Sequence, residues 1–172
     1  MFRYLAYLLL YIPVQLFAYL ITPILPLFAG LRYGALDNAS TYGLGPRLPE
    51  WLSWFDTLDN SLDGDCNWFR NHPDSTYWNK VAWLYRNSLY GFKWTVLAMP
   101  IQATRKMIGD PQIDYHSKTY GTMRITQPNG AWQYKLVKPF LGKILVLNIG
   151  WLLDDTSQGR ALFMLSPRLK NG

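Results

Sequence analysis

Hydrophobic and polar positions divide the chain into three unlike stretches. From residue 4 to residue 29 the sequence YLAYLLLYIPVQLFAYLITPILPLFA carries no charge, and only Gln15 and Thr22 are clearly polar. At 1.5 Å per residue, a helix from Tyr4 to Thr22 nearly crosses a hydrocarbon core about 30 Å thick. Arg3 and Arg32 bracket the run. Tyr4, Tyr7, Tyr11 and Tyr19 are candidates for headgroup depth, where an amphipathic ring meets both lipid and water. Pro13 predicts a kink, and Pro23 with Pro26 predicts the helix end. The same prolines admit an in-plane or re-entrant hairpin. A secretory signal fits poorly, because the apolar run is long and no clean small-residue cleavage site follows. A buried core helix would be long for 26 uncharged residues. Residues 1–30 are therefore read as a membrane anchor, most simply a transmembrane helix.

Residues 31–48 read as a linker, rich in Gly and Pro. Pro49 suits the first position of a short helix, with Glu50 favourable in its first turn. Trp51, Trp54, Phe55 and Leu58 recur at helical spacing. After an acidic loop, Asp74, Ser75 and Thr76 offer N-caps to a helix over Tyr77–Arg86, with Trp78, Val81, Ala82 and Tyr85 as its expected buried stripe. LYGFKWTVLAMP (89–100) is apolar, but Lys93 argues against its spanning a bilayer. From Gly121 the period changes to two. Strands are expected over 122–126, 131–137, 143–153 and 160–166, joined by short turns. The fold class that follows is α+β: an N-terminal apolar helix, short aromatic-rich helices, and a C-terminal antiparallel meander of about four strands. Residues 49–172 form one domain in this reading, helical over 49–108 and β-rich over 112–168.

Composition sharpens this picture. The chain has 172 residues, of which 16% are charged and 16% aromatic. The charged share is well below that of a typical soluble domain. Net charge is +6, unevenly spread. Beyond Asp74 there are thirteen Lys and Arg against four Asp. A surplus of that sign draws a chain towards anionic lipid or nucleic acid, against the plainer reading of solvated Lys and Arg on strand faces, and no run is dense enough for a nucleic-acid tract. Arg124, Lys135 and Lys143 are expected to make one sheet face basic and leave the other apolar. With Trp51, Trp54, Trp68, Lys93 and Trp94 they form the candidate interaction residues. Cys66 is the only cysteine, which excludes an intrachain disulfide.

The acidic loop is the one place where metal chemistry is conceivable. DNSLDGD (59–65) opens like an EF-hand, with Asp59, Ser61 and Asp63 at alternate positions and Gly64 at the turn. Position 12 should be a bidentate Glu and is Arg70, so the EF-hand fails. Asp59, Asp63 and Asp65 remain as candidate ligands for a looser Ca or Mg site. Against it stands ordinary capping, in which Asp and Asn side chains hold turns and Gly64 supplies a positive φ. Cys66 with His72 and Asp74 lacks the spacing of a structural zinc motif, and one Cys with one nearby His is a weak signal for a nucleophilic pair. Asp114 and His116, two residues apart, would share one strand face and could polarise a water, against the plainer reading of a surface turn with a solvated His. No phosphate loop, nucleophile elbow or zincin motif occurs.

Three blocks, LPEWLSWFDTLDNSLDGD (48–65), RNSLYGF (86–92) and IGWLL with ALFMLSPR (149–168), resemble an uncharacterised family of small proteins encoded by tailed bacteriophages. Proteins of that family often carry proline where Ser88 stands. The resemblance implies a shared fold and a phage origin, and it brings no catalytic residue. The expected function is that of a non-enzymatic accessory protein in the host inner membrane, with lipid and a host membrane or defence protein as partners and no cofactor. Two alternatives have other signatures: a virion or ejection-associated protein whose apolar N-terminus packs in an assembly, and a divalent-metal-dependent hydrolase using Asp59, Asp63 and Asp65.

Overall fold

The structure is a computed structural model that describes residues 2–32, 44–154 and 159–171. It is α+β, with an N-terminal apolar helix, a few short helices and a C-terminal antiparallel sheet. Two compact units divide it, Phe2–Val96 and Leu97–Gly172. The expected linker lies partly outside the described residues, at 33–43.

In the first unit, α1 runs Phe2–Ile21 with Pro13 inside it. A 3-10 turn, Leu25–Phe28, follows the prolines that end the helix. Strands β1 (Gly30–Arg32) and β2 (Gly45–Arg47) pair antiparallel, so both ends of the expected linker are regular structure. Glu50–Phe55 forms a 3-10 helix with Pro49 as its N-cap. Helix α2 (Cys66–Asn71) is capped by Asp65, and α3 (Tyr77–Arg86) by Thr76, whose hydroxyl accepts from Asn79 N–H at 3.2 Å. A short helix, α4 (Tyr90–Phe92), precedes a π turn at Lys93–Leu97. The core of this unit gathers Leu25, Leu48, Leu52, Leu62, Trp83 and Leu84.

Of the stripe expected for α3, Val81 is buried and Trp78, Ala82 and Tyr85 are not. Val81, Trp83 and Leu84 are buried, whereas Trp78 is 68% exposed and Tyr85 and Ala82 also face outward. Tyr77, Val81 and Leu84 share the spacing of Trp78, Ala82 and Tyr85, offset by one. Periodicity alone could not choose between two apolar stripes.

In the second unit, β3 (Met99–Pro100) pairs with β8 (Arg160–Ala161). The main sheet holds five strands, β4 (Lys106–Gly109), β5 (Gly121–Thr126), β6 (Trp132–Phe140), β7 (Lys143–Trp151) and β9 (Phe163–Asn171), in the order β4-β5-β6-β7-β9. Every pairing is antiparallel. Strand β6 continues through Pro139, past its expected end at 137. Pro139 lies past the last β5 pairing, at Val137, where a missing donor on that side costs nothing. The fifth strand, β4, falls in the stretch expected to be helical.

Paired residues share a face, so the register assigns every side chain. Met123, Gln133, Lys135, Val137, Ile144 and Asn148 lie on one face, where Met123, Gln133, Val137 and Ile144 are buried. Arg124, Tyr134, Leu136, Leu145, Leu147 and Ile149 lie on the other, none of them buried. The expected division into one apolar and one basic face is therefore corrected. Arg124 and Lys143 stand on the apolar face, while Lys135, opposite Met123, is on the inward one.

Gln133 makes a polar group tolerable at 0% exposure. Its Oε1 accepts from Leu153 N–H (2.7 Å) and Asp154 N–H (2.9 Å), and its Nε2 donates to Asn148 Oδ1 (3.1 Å) and Asp154 Oδ1 (3.0 Å). Its full hydrogen-bonding capacity is met. Gln133→Leu would orphan the buried Leu153 N–H and the partly buried Asp154 N–H. We expect a loss of about 2–5 kcal/mol, read as a lower urea midpoint of the detergent-solubilised protein.

Candidate functional site

The feature that sets this fold apart is how α1 meets the rest of its unit. Buried positions on α1 are Tyr4, Tyr11, Gln15 and Ala18, with Tyr7, Leu8, Val14 and Ile21 half-buried. That is one helical stripe, and it holds the helix's only amide and most of its hydroxyls. Tyr11 OH donates to Gln15 Oε1 at 2.5 Å, and Gln15 Nε2 donates to Ser88 Oγ at 2.6 Å. Ser88 thus supplies the acceptor. Further along, Tyr85 OH donates to the Tyr19 carbonyl at 3.0 Å, Tyr77 OH donates to the Pro23 carbonyl, and Phe17 lies 6.4 Å from Phe55. The helix is docked from Tyr11 to its C-terminal exit.

The rest of α1 faces out. Leu9 is 75% exposed, Leu16 60% and Leu20 78%, with Leu5, Leu10, Ile12 and Phe17 also exposed. Such an arrangement inverts the usual amphipathic helix, whose apolar stripe is the buried one. The apolar surface continues through Leu27 and Phe28, which packs edge-on to Trp51 at 5.7 Å. Trp51 is 71% exposed and Trp54 is partly exposed, its ring 5.1 Å from Phe92. By length and composition α1 is able to cross a membrane. Of the tyrosines expected at headgroup depth, Tyr4 and Tyr11 are buried, Tyr7 is half-buried, and Tyr19 is exposed with its ring 5.9 Å from Tyr85.

The other candidate interaction residues separate. Trp68 is half-buried, stacked on His72 at 3.9 Å, with Arg86 over its ring at 5.5 Å. Trp94 is buried and Lys93 half-buried, which corrects the expectation that they form a contact surface together. Lys135 pairs with Asp154 at 3.6 Å. Arg124 and Lys143 are exposed. Trp78 and Tyr85 are exposed aromatic groups that sequence reasoning had placed in the core.

The acidic corner turns out to be held by its own carboxylates. Asp65 Oδ1 accepts from Trp68 N–H at 2.7 Å, capping α2. Asp63 accepts from the Ser75 hydroxyl and pairs with Lys80 at 3.4 Å. Asp59 Oδ2 accepts from Tyr90 OH at 3.4 Å. Gly64 has φ +85°, and a Cβ there would strike the Trp68 ring. Among the described residues no three His, Cys, Asp or Glu side chains converge to hold an ion. Asp59, Asp63 and Asp65, the candidate Ca or Mg ligands, are thus each engaged separately. Cys66 is exposed, and the His72 ring lies on Trp68 with Nδ1 against the Trp68 carbonyl. Asp114 accepts from His116 and Ser117 N–H, both at 3.1 Å, so His116 belongs to a surface turn.

Behind this corner lies a buried polar cluster. Arg47 Nη1 donates to the Thr57 carbonyl (3.0 Å) and the Asn60 carbonyl (2.8 Å). Thr57 Oγ1 accepts from Trp83 Nε1 at 3.2 Å. Asp56, 5% exposed, accepts from Leu48 N–H (3.1 Å) and Thr57 N–H (2.9 Å). Gly91 closes on the same place: its N–H donates to the Asp56 carbonyl, and a Cβ would meet the Ser53 carbonyl oxygen at 1.8 Å. Burial pushes the Asp56 carboxyl up to about 7, against the opposing pull of Thr57 N–H, the Arg47 guanidinium and Leu48 N–H. A cavity of about 250 Å³ beside it is lined by Arg32, Arg47, Glu50, Ser53 and Asp56, among others.

The chain belongs to a family of unknown function, DUF7338, whose profile matches residues 1–168. No curated protein and no solved structure matches it. Family membership therefore adds a shared identity over nearly the whole chain and no activity.

Asp56 gives this corner a pH dependence of unusual sign for a carboxylate. Its folded value of about 7 stands above the ordinary 3.8. Between those values the folded chain keeps a proton that the unfolded chain has lost, so stability falls as pH rises from about 4 to about 7 and then levels. The fall is on the order of 4 kcal/mol. Asp56→Asn should be less stable than the parent at acidic pH, since one backbone donor loses its acceptor, but should lack this slope. Urea unfolding across that pH range reads both.

Proposed function

We propose that this is a non-enzymatic accessory protein held at a membrane by α1, which presents its aromatic surface to a membrane protein partner. One observation carries the reading. Helix α1 spends its polar stripe on internal hydrogen bonds and leaves its apolar arc outward, with Phe28, Trp51 and Trp54 continuing it. An outward apolar arc of this extent is stabilised in hydrocarbon and penalised in water. Exposed Trp at its border suits the headgroup layer.

The docking favours attachment in one leaflet over a span. An upright span would carry α3 with it, because Tyr77 and Tyr85 hydrogen-bond to the carbonyls of Pro23 and Tyr19. Lys80 and Arg86 would then approach hydrocarbon, at about 2.5–3.5 kcal/mol for each charge. A helix lying in the interface avoids that cost. The three sequence blocks support a bacteriophage origin and hence the host inner membrane as the site of action. A role in altering the host envelope or a host defence protein fits a small, anchored chain with an aromatic surface.

Membrane fractionation of cells expressing the full chain tests this. The protein should pellet with membranes, resist alkaline carbonate and dissolve in detergent. Paired Leu9→Arg and Leu16→Arg substitutions place charge on the outward arc without touching the Gln15 contacts, and should shift most of the protein to the soluble fraction. Recovery of the parent chain in the soluble fraction without detergent would overturn the proposal. Stoichiometric recovery in purified particles would favour the virion alternative.

A further inference from the structure

The second unit carries an apolar surface of its own. On the outward sheet face the register sets Leu145 opposite Leu169, Leu147 opposite Pro167 and Ile149 opposite Leu165, and these rows adjoin Leu136 and Tyr134 on β6. Leu165 is 39% exposed and Leu169 54%. Among the described residues this face is closed at the end that holds Trp151 and Phe163, where Trp151 Nε1 donates to the Leu97 carbonyl, and Leu136, Leu145, Leu147 and Ile149 are half-buried. A groove of about 530 Å³ lined by Arg124, Trp132, Tyr134 and Ile149 opens on the same face.

Charge on this sheet has one sign. The five strands contain seven Lys and Arg and no Asp or Glu. Lys106, Arg124, Lys138 and Lys143 all stand on the outward face and are exposed. An apolar surface edged only by cations matches an anionic lipid leaflet, in which acyl chains lie beneath a negative headgroup layer.

The β6–β7 turn supplies an independent observation. Its two central residues are Leu141 (φ +48°) and Gly142 (φ +74°). Such a turn ordinarily takes Asn-Gly, because a branched apolar residue is disfavoured at positive φ. Here leucine occupies that position at 88% exposure, beside Phe140 at 44%, with Lys138 and Lys143 on either side. Among the described residues neither local conformation nor packing accounts for leucine there, whereas insertion of the tip into a bilayer would.

We infer that the outward sheet face is a second lipid-contact site, selective for anionic membranes, with Phe140 and Leu141 inserted below the headgroups and Lys106, Arg124, Lys138 and Lys143 among the phosphates. It builds on the membrane reading of α1 and adds a contact made by different residues in a different unit.

Spin labels on the full-length protein, in a Cys66→Ser background, test the two contacts separately. The chain is reconstituted in phosphatidylcholine vesicles with and without phosphatidylglycerol, and each label's accessibility to oxygen and to a water-soluble nickel chelate is measured. A label at Leu141→Cys should lose at least about fivefold in nickel accessibility relative to one at Ser117→Cys in anionic vesicles, and less in zwitterionic ones. Equal nickel accessibility at the two sites in both vesicle types would overturn the inference. So would shielding accompanied by spin–spin broadening, since a second copy would then cover the tip. A label at Leu169→Cys reads the face when Leu141 is changed. Leu141→Asn should raise its nickel accessibility in anionic vesicles while the unfolding midpoint stays level or rises, because asparagine suits the turn better. A midpoint that holds with no change at Leu169 counts against insertion. A label at Leu9→Cys reports on α1. Aqueous at 9 and shielded at 141 refutes the anchor and keeps the sheet contact, and the reverse pattern refutes the sheet contact alone.

Discussion

A buried amide in a helix of hydrocarbon character must find partners, and Gln15 finds one on its own helix and one on Ser88. Leaving either side of it unmet would cost about 1–3 kcal/mol for each orphaned group. That requirement fixes which way α1 is rotated. Once Gln15 faces inward, helical geometry turns Tyr4, Tyr11 and Ala18 inward with it and sends Leu9, Leu16 and Leu20 out. The outward apolar arc is therefore a consequence of where the polar residue goes. It needs no separate cause.

The sheet repeats the logic with a different residue. Gln133 has all four hydrogen bonds satisfied on the inward face, and strand alternation then leaves Tyr134, Leu136 and their neighbours on β7 looking out. In both units the polar group is satisfied internally and the larger apolar set is presented externally.

The sequence showed these elements more clearly than it showed their orientation. Helix α3 falls at Tyr77–Arg86, where the capping residues and periodicity placed it, and the strand-turn pattern after Gly121 led to an antiparallel meander. Orientation failed where both faces are apolar. In α3 the stripes through Val81 and through Ala82 differ by one residue and look equally good. In β6 the basic Lys135 faces inward because Asp154 is there to meet it, a partner 19 positions away that local pattern does not reveal. The strand β4 and the continuation of β6 through Pro139 depend on which ladder positions have neighbours, again a matter of tertiary pairing. Trp94 illustrates the same limit, since a Lys-Trp pair looks like an interface signal until the tryptophan is seen to be buried.

The acidic corner shows why carboxylates in a short loop need not imply an ion. Repulsion among Asp59, Asp63 and Asp65 is relieved by distributing them: one accepts from Tyr90, one pairs with Lys80, and one caps α2. Among the described residues the buried carboxylate is Asp56, which lies outside the EF-hand-like motif. Its two backbone donors and the Arg47 guanidinium only partly offset the cost of desolvation, so its carboxyl is held near neutrality at about 7. Arg47 in turn bonds the Thr57 and Asn60 carbonyls, tying β2 to the chain that follows the 3-10 helix. Trp51 and Trp54 are presented outward from a segment whose other side is fixed by that cluster and by Gly91. The charged residues of this corner thus shape a support, and the exposed aromatic rings are what the support displays.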